Sequence, residues 1–273
     1  MIWVEMAPDS NRFQQLKSLA EKLGQAWLEN SIIEEPNNSE IPQSREEAYF
    51  VQDHMAQFIC KDISGWKVGA TSAKMRELDG HDDVIPGRIF SPVTFVGPIQ
   101  KLQINQFPNA RVETEFAFRL NEDIPIRDQN WTAADLENKV SMYPAVEIIG
   151  NRHQLKSATK AEKSLMTIAD NGGGIGFVFG SVFDDWRNLN FRNHNITLQV
   201  DDNLPAENFL GDMRCQPIEA VADLVNHLSN RDISLRKGDF VSTGAATVPQ
   251  PIIKGSFVNA DFGIIGKIQL TFV

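Results

Sequence analysis

Three carboxylates stand in stretches that are otherwise apolar and strand-like. Glu113 and Glu115 lie in Arg-Val-Glu-Thr-Glu-Phe-Ala-Phe, and Glu147 lies in Tyr-Pro-Ala-Val-Glu-Ile-Ile. Side chains alternate faces along a strand, so Glu113 and Glu115 share one face. Neighbouring ionised carboxylates repel, and burying them is costly unless a positive group joins them. A divalent cation is the simplest such group. Three carboxylates with waters or substrate oxygens suit the octahedral preference of Mg²⁺ or Mn²⁺. The same spacing also suits the solvated face of an edge strand. The two readings separate on whether Glu147 comes close to the pair in space.

Other residues could carry chemistry. Lys67 sits between Trp66 and Val68 in a strand-like run. Such a lysine can snorkel to solvent; beside a cation and a carbonyl substrate it can act as an acid/base group with a lowered pKa. Gly172-Gly173-Gly174-Ile175-Gly176 lacks the Gly-x-Gly-x-x-Gly register and runs into Phe177-Val178-Phe179, where a nucleotide loop would open a helix. These glycines fit a turn or a close backbone approach. Five histidines are scattered without metal-ligand spacing, and there is no nucleophile elbow.

The elements that must position these groups read as follows. Residues 10–29 are an amphipathic helix with Phe13, Leu16, Leu19, Leu23 and Trp27 on one face. A second helix opens at Ser44, with Glu47 expected to complete a capping box. From Gly65 onward, strand-like runs appear at 65–70, 93–99, 112–120, 143–150, 175–179, 195–200, 239–243 and 256–273. Helices are expected at 72–79, 132–140 and 216–229. The spacing does not repeat as βαβ units. The fold class is therefore α+β, with a helical N-terminal arm over 1–62 and a β-rich catalytic domain over 63–273.

Bulk properties narrow the partners. A chain of 273 residues, 42% hydrophobic and 23% charged, can bury a core without staples. Its formal charge of −10 argues against general nucleic-acid binding, which needs basic patches. Cys60 and Cys215 form no pair motif and read as buried free thiols. No apolar run reaches membrane-spanning length, and the N-terminus lacks the basic and apolar regions of a signal peptide. A cytoplasmic protein is expected.

Taken in order, the segments resemble the 2-keto-4-pentenoate hydratase / 4-oxalocrotonate decarboxylase family of the fumarylacetoacetase superfamily. They are Ala48-Tyr49 with Gln52; Gly65-Trp66-Lys67-Val68-Gly69 with Thr71; Gly80, Asp82, Gly87 and Phe90; Val112-Glu113-Thr114-Glu115; Pro144-Ala145-Val146-Glu147 with Arg152; Ala169-Asp170-Asn171; Pro217 and Ala220; Gly238-Asp239 with Thr243-Gly244; and the closing strands from Gly255 to Gly266. The resemblance implies a β-rich mixed roll of the fumarylacetoacetase C-terminal type, assembled from dimers into larger homo-oligomers. It implies that Glu113, Glu115 and Glu147 hold Mg²⁺ or Mn²⁺, that Lys67 and Asp82 are catalytic, and that Asp170, Asn171, Thr243 and Gly244 bind substrate. Asp82 is expected on a loop that closes over the site and helps to place water.

The implied chemistry is hydration of a 2-hydroxy-alka-2,4-dienoate to a 4-hydroxy-2-oxo acid, in aromatic or related catabolism. A 4-oxalocrotonate-type decarboxylase uses the same electron sink and is the alternative enzyme. Acylpyruvate C–C hydrolysis is a third, and would want a His-Glu pair on a lid, for which His81 is the candidate. A silent oxo-acid-binding homologue is the non-enzyme reading. The chain departs from the family pattern at Val84-Ile85-Pro86, at Gly172-Gly173 and at Arg214-Cys215-Gln216-Pro217. The first two segments are expected to border the pocket away from the metal. They carry no cation for a second carboxylate, so a short monoacid is the expected substrate. Arg152 and Arg214 are the side chains that could supply that charge.

Overall fold

The computed structural model describes residues 10–156 and 158–273, apart from the side chain of Asp79. The segment read for a signal peptide begins in residues 1–9, which lie outside the described residues. The helices are α1 Asn11–Glu29, α2 Arg45–Ile59, α3 Ala73–Asp79, α4 Ala133–Leu136, α5 Lys160–Ala169 and α6 Pro217–Ser229. The strands are β1 Ile63–Gly69, β2 Ile85–Phe90, β3 Thr94–Val96, β4 Ile99–Leu102, β5 Arg111–Leu120, β6 Val140–Ile149, β7 Gly174–Phe179, β8 Thr197–Val200, β9 Phe240–Ala245, β10 Gln250–Pro251, β11 Phe257–Asp261 and β12 Lys267–Phe272. The class is mixed helix and strand.

One large sheet runs β2-β1-β9-β5-β6-β7-β3, with β10 also paired to β5; a smaller sheet runs β4-β12-β11-β8. The large sheet is buried on both faces. On one face Val112, Phe116 and Phe118 of β5 and Val146 and Ile148 of β6 join the main core with Leu224 and Leu228 of α6. The opposite face of these strands carries Glu113, Glu115 and Glu147, with Ala117 and Ala145 beside them.

Helices α1 and α2 build a second core with α5 and β2, through Leu16, Leu23, Met55, Ile85 and Met166. The Trp27 and Phe90 rings lie 5.1 Å apart. The expected capping box of α2 forms only in half. Ser44 accepts from the Glu47 N–H, but the Glu47 carboxylate accepts from the Gln43 N–H and from Arg12 of α1. The arginine outbids the cap and ties the two helices together.

Strands β2 and β10 and helix α5 were absent from the sequence reading, and β4 meets it only at Ile99. Strand β2 contains Pro86 and Gly87, residues depleted from strands. Proline is tolerated there because β2 is the sheet edge. Helix α5 has a full capping box between Thr159 and Glu162, a readable signal. The helix expected over 132–140 stops at Leu136, and residue 140 already belongs to β6. Among the thiols, Cys60 is exposed at the end of α2 rather than buried, and Cys215 is half-buried. No helix among the described residues is long and apolar enough to cross a membrane.

Candidate metal centre and active site

Register brings the carboxylates together. β5 and β6 pair antiparallel from Arg111 opposite Ile149 to Leu120 opposite Val140, which sets Glu113 directly across from Glu147. Glu115 follows two residues along on the same face. A carboxylate oxygen from each of the three lies within 4.8 Å of the others. All three side chains are buried, which removes the edge-strand reading.

Lys67 joins them from β1. In sheet order β1 is separated from β6 by β9 and β5, about 14 Å at ordinary strand spacing. The sheet curls enough for Lys67 Nζ to stand 3.5 Å from Glu147 Oε1. Burial pulls the Lys67 pKa down, but Glu147, Glu115 and Glu113 outweigh it and the net shift is upward. The lowered value expected from sequence belongs to a lysine beside a cation; with the carboxylates alone the shift is upward. Here Lys67 is an ammonium.

The acidic groups are each held differently. Glu115 Oε2 accepts from Ser242 Oγ and from the Gly244 N–H at 3.0 Å. Both oxygens of Glu147 are buried and accept no hydrogen bond. A side chain at Gly174 would collide with this carboxylate, since an added Cβ would lie 2.7 Å from Oε1. Burial, then the Glu147 charge, push the Glu113 pKa up to about 8. Burial, Glu147 and Glu113 raise that of Glu115 well above the carboxylate range. Three buried carboxylates facing one lysine leave the cluster short of positive charge. An oxygen-seeking divalent cation fits that deficit.

Two cavities meet at this cluster, and Lys67 and Glu113 line both. The larger, of about 770 Å³, extends past Gly172 and Gly173 to His153, Lys163 and Arg111. The smaller, of about 330 Å³, passes Gly244 to Met75, Phe209 and Met213. Gly172, at φ +70°, packs its backbone against the Lys67 side chain. The close approach read from the glycine run is therefore made to Lys67 and Glu147.

The remaining sequence candidates have protein partners or stand apart. Asp170 accepts from the Arg152 backbone N–H and from its guanidinium. Asn171 exchanges two hydrogen bonds with the backbone of Arg88 on β2. Thr243 Oγ1 donates to the Phe116 carbonyl. Gly244 lines the smaller cavity and holds Glu115. Asp82 is exposed and lines neither cavity. His81 is hydrogen-bonded to Ser164 on α5.

The specificity expectation needs correction. Val84 lines a separate cavity bounded by residues of α2 and α6, and Ile85 and Pro86 are buried. Arg152 is spent on Asp170, and Arg214 donates to the Phe191 and Ala246 carbonyls. The larger cavity nevertheless carries cations, from Arg111, Lys156 and Lys163. Sequence reasoning missed these, as it missed Ser242 beside the named Thr243-Gly244.

A raised carboxyl pKa has a stability consequence. Between about pH 4.5 and about 8 the folded chain holds a proton on Glu113 that the unfolded chain has released. The metal-free protein should therefore lose stability as pH rises through that window. Added Mg²⁺ should raise Tm strongly near pH 8 and little near pH 5, where protons compete for the carboxylates. Thermal scans with and without Mg²⁺ check this; an equal Mg²⁺ effect at both pH values would contradict it.

No protein-family model matches the chain. A curated 2-oxo-hept-4-ene-1,7-dioate hydratase of Escherichia coli is 26% identical over 261 residues, covering 93% of this chain and 97% of the relative. A 2-keto-4-pentenoate hydratase of Paraburkholderia xenovorans is 23% identical over 266 residues, 95% of each chain. Among solved structures, 4-oxalocrotonate decarboxylase from Pseudomonas putida G7, complexed with magnesium and adipate, superposes with a TM-score of 0.81 at 20% identity, over 95% of this chain and 98% of that one. A fumarylpyruvate hydrolase from Pseudomonas aeruginosa, in complex with Mn²⁺ and pyruvate, aligns at a TM-score of 0.52 and 16% identity, over 76% and 88%. The resemblance read from the ordered motifs holds: the chain is a homologue of the 2-keto-4-pentenoate hydratases, built on a fumarylacetoacetase-type fold.

Proposed function

We propose that the chain is a metal-dependent hydro-lyase that adds water to a 2-hydroxy-alka-2,4-dienoate and gives a 4-hydroxy-2-oxo acid. The observation that carries this reading is the convergence of buried Glu113, Glu115 and Glu147 with Lys67 where two cavities meet. The names of the curated relatives point the same way. Glu113, Glu115 and Glu147 would hold Mg²⁺ or Mn²⁺. When bound, the ion supplies a Lewis acid for the substrate's C1 carboxylate and C2 oxygen, steadying negative charge at C2.

The chain's own groups do the rest. Ser242 and the Gly244 N–H fix one oxygen of Glu115, so its other oxygen is the one offered inward. As the C2 hydroxyl gives up its proton to solvent and C5 takes one, the Lys67 ammonium can donate a hydrogen bond to the C2 oxygen and steady the charge that grows there. The carbonyl then polarises the C3–C4 bond, water adds at C4 and C3 takes a proton. Asp82 would help to place that water only if the loop at 80–84 folds inward. Asp170, Asn171 and Thr243 act in this reading as supports for the wall, since their polar groups are engaged by protein.

The finer assignments belong to the same reading. Residues 1–62 would serve as a helical arm on a catalytic roll of 63–273. Exposed Val96, Ile99 and Ile264 offer apolar surface for a homo-oligomer built from dimers. Free Cys60 and Cys215 suit a reducing compartment, and we assign the protein to the cytoplasm and to catabolism of aromatic or related compounds.

The test is a panel of 2-hydroxydienoates with Mg²⁺- or Mn²⁺-loaded protein, following loss of dienoate absorbance and release of CO₂. Loss of absorbance without CO₂ is the hydratase result. CO₂ from a 4-oxalocrotonate-type diacid would move the assignment to the decarboxylase, and inactivity on the whole panel with either metal would remove the enzyme reading.

A further inference from the structure

The larger cavity holds a group that the hydration chemistry leaves idle. His153 is only 8% exposed, and neither ring nitrogen makes a hydrogen bond. Its Nε2 stands 4.0 Å from Asp170 Oδ2, but that carboxylate is already engaged by Arg152. Burial pushes the His153 pKa down, so the ring is neutral and presents one N–H donor. A buried donor without a partner is costly to keep, and a ligand that accepts from it removes the cost.

The surrounding wall says what that ligand is. Arg111 and Lys163 line the same cavity, and among the described residues neither is in an ion pair. Arg111 donates one N–H to the Pro249 carbonyl. Lys156 stands at the rim with its side chain 82% exposed. Glu113, at the metal end, is the acidic residue of the lining. The smaller cavity differs: Met75, Phe209, Met213 and Pro249 line it, with no basic group beyond the shared Lys67.

We propose that His153, Arg111 and Lys163 form a subsite for a second carboxylate, so that the preferred substrate is a dicarboxylic 2-hydroxydienoate with its far end in the larger cavity. This rests on the oxo-acid reading above and narrows it. The three side chains come from the segment after β6, the start of β5 and α5, so the site exists only in the folded chain. Two cations and a neutral donor facing one anion are a better match for carboxylate than for an alkyl end, which would leave all three unpartnered.

A matched pair of unreactive ligands tests it. 2-Oxoadipate and 2-oxohexanoate share the oxo-acid end and the chain length, and differ in the distal carboxylate. Both are titrated calorimetrically into Mg²⁺-loaded protein. The wild type should bind 2-oxoadipate about tenfold or more tightly than 2-oxohexanoate, the range of a charge-assisted hydrogen bond. Lys163→Met should erase most of that ratio, and Lys163→Arg should retain it. His153→Leu should lower it as well. Lys163 is exposed on α5, so its variants keep the test readable if the His153 variant folds poorly. Equal affinity for the two ligands in the wild type, or an unchanged ratio in Lys163→Met, would overturn the subsite alone. Failure of both ligands to bind would overturn the oxo-acid reading and the subsite with it.

Discussion

Glu115→Gln should abolish turnover while leaving the fold intact. Glu115 is 1% exposed, and one of its oxygens is held by Ser242 and by the Gly244 N–H. Glutamine has nearly the same shape and can keep an oxygen toward those donors. Its amide then faces the place where the other oxygen stood, offering N–H groups where a cation needs a lone pair. We expect kcat/KM to fall by about a thousandfold or more, since a Lewis acid contributes several kcal/mol and each decade is about 1.36 kcal/mol. The metal-free variant should be at least as stable as the wild type near neutral pH, because glutamine stays neutral where burial, Glu147 and Glu113 oppose ionisation of the carboxyl. Its Tm should no longer respond to Mg²⁺. A variant that turns over normally and still gains Tm with Mg²⁺ would take Glu115 out of the metal centre.

The face shared by Glu113 and Glu115 was legible because side chains alternate along a strand. What brought Glu147 to them was register, which sequence does not carry here. A slip of one residue between β5 and β6 would have turned Glu147 to the opposite face. The strands themselves were readable from runs such as Val112 to Leu120. β2 was not, because Pro86 and Gly87 argue locally against a strand that an edge position allows. α5 could have been found from Thr159 and Glu162.

The ordered motifs led to the family more surely than to the work of each residue. Asp170 and Asn171 stand out in sequence, yet they bond to Arg152 and to the backbone of Arg88. They shape the wall next to Gly172 and Gly173, which line it. Arg111, His153 and Lys163 escaped notice because they belong to separate segments and meet only after folding. Net charge concealed them further: a chain of −10 gives no hint of a cavity lined by several basic groups.

Lys67→Met should separate chemistry from metal binding. Lys67 lines both cavities and stands 3.5 Å from Glu147 Oε1, and it lowers the Glu113 pKa that burial and Glu147 raise. In the metal-free protein it is therefore the cluster's own counter-charge, and it competes with any added cation. Methionine fills similar space without charge. Mg²⁺ affinity should then hold or tighten, the reverse of Glu115→Gln, and the Tm gain with Mg²⁺ should grow. Turnover should fall by about a hundredfold or more, the scale of losing a positioned acid/base group. The loss should sit in kcat rather than KM, because negative charge grows on the C2 oxygen only as the reaction proceeds. Near-normal kcat in the variant would leave Lys67 as a structural counter-ion only. Loss of Mg²⁺ binding together with activity would mean that the lysine organises the carboxylates instead of acting on the substrate.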